Sequence, residues 1–253
     1  MNMHTKTNLH HFLWIPVLLI ALLFSACASG GTPNTASKIP SATHRATAQP
    51  TLKVDPFSGP VTYVALGASD AVGVGSREPG SQGYVPLVAT HLPKGSHLVN
   101  LGISGIHLHE ALSEELPLAL STSPDLVTIW LVTNDFIGGV TYNGYIQDLN
   151  ILLRELHTKT QARLVMANLP DLTRLPAFAH ETSTRKAQML TAIQQWNAGI
   201  AAAAAHYGVT LVDLFSQRSQ LTSHPEYISA DGFHPSAQGY VQLANAFWKA
   251  IKG

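Results

Sequence analysis

The sequence predicts an α/β fold: a three-layer sandwich with helices on both faces of a five-stranded, parallel, doubly wound sheet. Two observations carry this. Beyond residue 60, short apolar segments rich in β-branched residues alternate with longer segments at helical spacing. The short segments are apolar throughout rather than alternately polar, so both their faces are buried, as in parallel sheets. Right-handed crossovers then wind helices onto both sides. Such sheets bind ligands outside the carboxyl ends of their strands, which says where chemistry belongs.

Taken in order, "VTYVAL" (61–66) is a first strand. "GYVPLVATHL" (83–92) is a helix with Pro86 in its first turn. "HLVNLG" (97–102) is a second strand, and "HLHEALSEELPLAL" (107–120) a helix interrupted at Pro117. "DLVTIWLV" (125–132) is a third strand. "YNGYIQDLNILLRELHTKT" (142–160) places Tyr145, Leu149, Leu152, Leu153 and Leu156 on one helical stripe. A fourth strand, "ARLVMANL" (162–169), precedes a long helix over 184–208 that stops at Gly208. "VTLVDL" (209–214) is a fifth strand, and "SAQGYVQLANAFWKAI" (236–251) a closing helix with Pro235 at its first position.

Polar or glycine positions fall just past three strand ends or in the last loop. Ser69 follows strand one, Gly102 strand two and Asn134 strand three, while Asp231 and His234 share the loop "SADGFHPSAQGY" before the last helix. These residue types suit acyl transfer. A serine hydroxyl is a weak nucleophile until a base takes its proton, and His234 is that base. Asp231, three residues earlier, is placed to accept the other imidazole N–H and fix the tautomer. A tetrahedral intermediate needs donors aimed at its oxyanion. The backbone N–H groups of Ser69 and Gly102 and the amide of Asn134 are the candidates.

In this order the blocks resemble those of the SGNH (GDSL-type) hydrolases, esterases and lipases named for Ser, Gly, Asn and His. The resemblance covers nearly all of the chain from about Val61 to the last helix. It implies a flavodoxin-like five-stranded sheet, Ser69 as nucleophile, Gly102 and Asn134 in the oxyanion hole, and Asp231 and His234 as the D-x-x-H pair. It implies no metal and no organic cofactor. Two blocks depart from the family pattern. The usual G-D-S reads "GAS", with Ala68 for Asp, and the usual G-x-N-D reads "VTND", with Val132 for Gly. Neither departure removes a group assigned to catalysis.

Each residue alone has a bland reading: a turn serine, a turn glycine, an Asx cap, a turn dipeptide. Their joint order at strand ends is what favours the catalytic one. Two other functions remain open. An α/β-hydrolase would use "GASDA" as a near match to its nucleophile elbow, with Asp213 as the acid. A non-catalytic surface lipoprotein would keep the fold to bind a glycan or lipid. "HLHE" (107–110) puts two histidines on different faces of a helix start, which suits solvation better than a metal. Asp171, after strand four, opens a proline-marked loop (170–182) that can wall a substrate, as can 72–84.

Composition bounds the partners. The formal net charge is zero, charged residues make up 12%, and no basic run occurs, so nothing points to nucleic acid. The apolar run from Phe12 to Cys27 is too short for a confident spanning helix and reads as a signal peptide over 1–26. Its end, "LFSAC", resembles the lipobox of bacterial lipoproteins, with Phe24 where leucine is usual. Cys27, the only cysteine, is then the lipidated N-terminus and the membrane anchor of an extracytoplasmic protein. A secreted protein or an uncleaved anchor, with an incidental cysteine, is the alternative. Residues 27–60, rich in Ser, Thr, Ala and Pro, read as a flexible tether reaching roughly 30 Å. The hydrolase domain occupies 61–253, and its oligomeric state is not encoded in any motif.

Overall fold

The computed structural model describes residues 57–253. The expected signal peptide, Cys27 and most of the expected tether lie outside them. Five parallel strands form one sheet: β1 (Thr62–Gly67), β2 (His97–Asn100), β3 (Leu126–Trp130), β4 (Arg163–Ala167) and β5 (Thr210–Val212). Their order is β2-β1-β3-β4-β5. The chain therefore reverses direction across the sheet at β1 and β3, the switch point where doubly wound folds open a crevice. Gly67 pairs with Trp130, so both strands end at the same level. Every residue of β3 is buried, as a fully apolar run requires.

The α-helices of the described residues are α1 (Ser69–Val72), α2 (Pro79–Gln82), α3 (Tyr84–Ala89), α4 (Leu108–Glu114), α5 (Leu116–Ser121), α6 (Thr133–Ile137), α7 (Tyr142–Lys159), α8 (Ser183–His206), α9 (Arg218–Ser223) and α10 (Ala237–Lys252). Tyr84 of α3 stacks on Phe247 of α10 at 4.9 Å, and the two helices form one layer. Tyr145 of α7 stacks on Trp196 of α8 at 4.7 Å in another. The predicted stripe of α7 is buried at all five positions. Each such leucine contributes about 1.5–3 kcal/mol relative to exposure. No helix among the described residues is long and apolar enough to cross a membrane.

The expected elements are refined in three respects. The segment 107–120 is two helices, since Pro117 near the start of α5 denies the preceding turn a donor. Pro235 lies outside α10: Ser236 is the N-cap, its hydroxyl accepting from Gly239 N–H at 3.2 Å, because a side-chain oxygen satisfies an orphan donor that proline cannot. The one-turn helices α1 and α6 carry too few residues to show a period in sequence.

The break between α4 and α5 gives Glu115 a structural task. Only 1% exposed, it turns inward, its Oε2 accepts Gly67 N–H at 3.1 Å, and the N–H of Ile103 lies near enough to lower its pKa. Ile103 N–H also donates to Gly67 O at 3.0 Å. One carboxyl thus ties the end of β1 to the loop after β2. Burial pushes its pKa up to about 8, against the two backbone donors that lower it. Because its folded pKa exceeds the unfolded one, its contribution to stability is greatest below about pH 4.5 and falls as pH rises through 8. Glu115→Gln keeps an acceptor for Gly67 and removes this dependence. Its melting temperature relative to wild type should therefore rise by about 5 °C or more between pH 4.5 and pH 8. A constant difference across that range would refute the assignment.

Candidate active site

The first strand stays apolar to Leu66 and then turns sharply. Ala68, at φ −102° and ψ −141°, caps α1, so Ser69 opens a helix immediately beyond the sheet. The N–H groups of Ala71 and Val72 both donate to Ala68 O, at 3.0 and 3.2 Å. Ser69 N–H is one of the unpaired donors with which a helix begins. Ser69 itself is 8% exposed.

His234 reaches this serine from a loop 165 positions away, with Nε2 2.9 Å from Ser69 Oγ. The loop is folded back on itself. Ile228 bridges Pro235 in antiparallel fashion, Ser229 N–H donates to His234 O at 2.8 Å, and Ser236 N–H to Tyr227 O at 2.8 Å. A second prop comes from the wall after α1. Gly75, at φ +97°, lies so close that a Cβ there would sit 2.5 Å from Pro235 O. Tyr240 adds a hydroxyl donated to Val74 O at 2.6 Å.

Asp231 sits at the base of the same loop. Its Oδ2 is 2.7 Å from His234 Nδ1, and its Oδ1 accepts from Ser229 Oγ (2.7 Å), Phe233 N–H (2.8 Å) and His234 N–H (3.0 Å). Burial raises its pKa, but the hydrogen bonds from the His234 ring, Phe233, Ser229 and the His234 backbone outweigh it and hold the carboxyl well below the usual range. An ionised carboxylate only accepts, so Nδ1 carries the proton facing it. In the neutral ring Nε2 is then an acceptor, and the Ser69 hydroxyl donates to it.

The oxyanion candidates are held differently from one another. Gly102 lies where a Cβ would meet the Ala71 side chain at 2.8 Å, so the loop after β2 packs against α1. Its N–H donates at 3.1 Å to Asn100 Oδ1, while Asn100 Nδ2 donates to Ala71 O at 2.7 Å. Gly102 N–H is thus already engaged. Asn134, second residue of α6, uses one amide hydrogen on Ile106 O at 2.9 Å and keeps the other. Its neighbour Asp135 accepts Leu108 N–H, at 3.0 and 3.2 Å to its two oxygens, and burial pushes its pKa up to about 6. The Asn–Asp pair after β3 therefore clamps the loop after β2.

Asn100 and Glu115 are positioning residues that the sequence alone did not single out, and Asp135, which the sequence offered only as part of a cap or Asx turn, is a third. Asn100 ends a strand, a weak signal. Nothing marks Glu115 among its acidic neighbours. At the two departures from the family blocks, Val132 is buried and Ala68 contributes its carbonyl to the first turn of α1.

Other sequence candidates fall elsewhere. Asp213 accepts from Asn168 Nδ2 at 2.9 Å and Ser216 N–H at 3.1 Å rather than pairing with His234. The α/β-hydrolase alternative thus lacks its acid. Asp171 is buried and accepts from Thr173 and Arg174, tying its own turn. His107 caps α4 in a capping box with Glu110, and exposed His109 faces Asp148.

Comparison with known proteins identifies the family and the fold. The model of the GDSL-like Lipase/Acylhydrolase family matches residues 65–242. No curated protein sequence matches the chain. Among solved structures, TesA is 25% identical at a TM-score of 0.60, covering 76% of this chain and 98% of its own. Axe2, an acetylxylan esterase from Geobacillus stearothermophilus, is 20% identical at a TM-score of 0.61, covering 76% and 95%. LAE5, an alpha/beta hydrolase enzyme from the metagenome of Lake Arreo, is 20% identical at 0.63, covering 78% and 97%. With its doubly wound sheet and its blocks in family order, this chain belongs to the GDSL-like lipase/acylhydrolase family and is a hydrolase acting on ester bonds.

Proposed function

We propose that the protein cleaves carboxylic esters through a covalent acyl-enzyme, with Ser69, His234 and Asp231 as a catalytic triad. Ser69 Oγ attacks the acyl carbon while His234 Nε2 takes its proton. The carbonyl electron pair moves onto oxygen, and the tetrahedral intermediate forms. Its collapse breaks the bond to the alcohol, whose oxygen receives the proton from Nε2. Water then repeats the sequence on the acyl-enzyme, releasing the acid and restoring Ser69. Asp231, kept ionised, orients the ring and stabilises the imidazolium. Ser69 N–H and the second amide hydrogen of Asn134 face the developing charge, joined by Gly102 N–H as it leaves Asn100.

The observation that carries this reading is the unbroken relay of 2.9 and 2.7 Å from Ser69 through His234 to Asp231. Binding a glycan or lipid has no use for such a relay, which counts against the non-catalytic lipoprotein. The proposal extends to location. An exported chain, lipidated at Cys27 and tethered through 27–60, would meet esters outside the cytoplasm; the support is the "FSAC" sequence alone.

Three tests follow. A fluorophosphonate probe should label the purified protein on Ser69, and His234→Ala should lose the label while remaining folded; labelling elsewhere removes Ser69 from the mechanism. Asn134→Ala should lower kcat by about 10²–10³ with little change in KM, the usual worth of one oxyanion donor. An unchanged kcat excludes Asn134 from the hole. Metabolic labelling with palmitate should mark the full chain but not Cys27→Ser, and equal labelling of both would refute lipidation there.

A further inference from the structure

Beneath the catalytic loop, between α9 and α10, lies a cavity of about 110 Å³. At about 10–15 Å³ per water-sized group, it has room for roughly seven to eleven of them. Leu172, Leu175, Leu214, Leu221, Leu243 and Phe233 give it apolar walls. Gln217, Gln220 and Gln242, partly or fully exposed, form a polar rim. The cavity backs onto the triad. Thr133 on its wall precedes Asn134, and Phe233 and Pro235 flank His234.

One wall residue breaks the apolar pattern. Asp70 lines the cavity at 8% exposure. Successive helical residues point about 100° apart, so α1 directs Ser69 at His234 and Asp70 into the cavity. Its own backbone N–H is the only donor to its carboxyl among the described residues, although His234, Asp231, Tyr84 and Tyr240 all lie within its electrostatic reach. Burial pushes its pKa up to about 6, against the field of His234. A buried carboxyl whose only donor is its own backbone N–H opposes folding, and native structures keep few of them. An aliphatic side chain would fill the position without that penalty.

We propose that the cavity is a substrate subsite, and that Asp70 accepts a hydrogen bond from a free hydroxyl close to the scissile ester, with an apolar chain running on toward the glutamine rim. This rests on the reading of Ser69 as nucleophile. Adjacent Cα atoms are 3.8 Å apart, so a group paired with Asp70 lies within a few bonds of the carbon that Ser69 attacks. A hydroxyl fits better than an ammonium, which would lose far more hydration among leucines. An alkyl chain of several carbons suits the apolar walls. The hydroxyl belongs either to the acyl half, as in a 3-hydroxyacyl ester, or to the alcohol half, as in a 1,2-diol monoester.

Two kinetic arms separate these sources. Nitrophenyl 3-hydroxyoctanoate is compared with nitrophenyl octanoate, and the 1-acetate of 1,2-octanediol with octyl acetate. The expected result is a kcat/KM at least tenfold higher for the hydroxylated member in one arm, which identifies the source, and a ratio near one in Asp70→Leu. Equal turnover in both arms, or a preference that survives Asp70→Leu, overturns the proposal. Ala246→Trp, which fills the cavity, should abolish the preference for the hydroxylated member in the arm that shows it; a preference retained in full overturns the proposal too. Thermal melting of Asp70→Leu at pH 8 should rise, since a buried charge is removed, whereas a fall marks Asp70 as a structural residue. A binding measurement stands apart from catalysis. By calorimetry, Ser69→Ala should bind 1,2-octanediol more tightly than 1-octanol, and equal binding refutes the subsite. If nitrophenyl acetate is not hydrolysed at all, the triad reading fails, and calorimetry alone judges the cavity.

Discussion

The contact between His234 and Ser69 governs the rest of the architecture. In the order β2-β1-β3-β4-β5, the serine follows β1 and the histidine loop follows β5, three strand spacings away. At about 4.8 Å per spacing the chain must cross roughly 14 Å over the carboxyl ends of the sheet. It then has to present an imidazole to within 2.9 Å of a hydroxyl. A free loop of that reach would sample many positions. Here α9, the bridge between Ile228 and Pro235, and the packing of Gly75 beneath Pro235 remove that freedom. The ionised Asp231 then gathers four hydrogen bonds from its own loop, so the group that orients the ring also fastens the loop that carries it.

Around this pair the acids divide into two kinds. Asp231 is partly exposed, densely hydrogen-bonded and held ionised. Asp70, Glu115 and Asp135 are buried, and burial pushes their pKa values up to about 6, 8 and 6. Glu115 and Asp135 hold backbone N–H groups in the loops that frame the site. Asp70 holds none but its own. All three acids weaken the fold as pH rises through their folded pKa values. A protein optimised for stability alone would have replaced them, and their position around one crevice is where stability is commonly exchanged for function.

How much of this was legible in the sequence follows from the range of each interaction. The strands and the long helices were legible because their burial repeats along the chain: Tyr145 to Leu156 on α7 needs only spacing to be seen. The relay was legible because Ser69, Asp231 and His234 stand at element ends in an order that chance rarely produces. Asn100 and Glu115 were not, because each acts on a single backbone group brought near by the fold, and nothing in the adjacent residues records that neighbour. Pro235 misled for a local reason, since Ser236 is the better cap. The cavity was hidden for the same reason as Asn100, its walls coming from five separate stretches of chain.

The engagement of Gly102 N–H by Asn100 bears on how the proposed hole would work. In the resting site this donor bonds a neutral amide oxygen. A hydrogen bond to an oxyanion is charge-assisted and roughly twice as strong. A neutral ester carbonyl therefore offers Gly102 little reason to leave Asn100, whereas the tetrahedral intermediate does. Donors whose bonds improve only as charge develops lower the barrier without tightening ground-state binding. Ser69 N–H, unpaired at the start of α1, and the spare hydrogen of Asn134 would bind substrate and intermediate alike to a greater degree. On this argument Asn100 is part of the energetics of the hole, although it touches no substrate: it sets how much of the Gly102 interaction is reserved for the transition state.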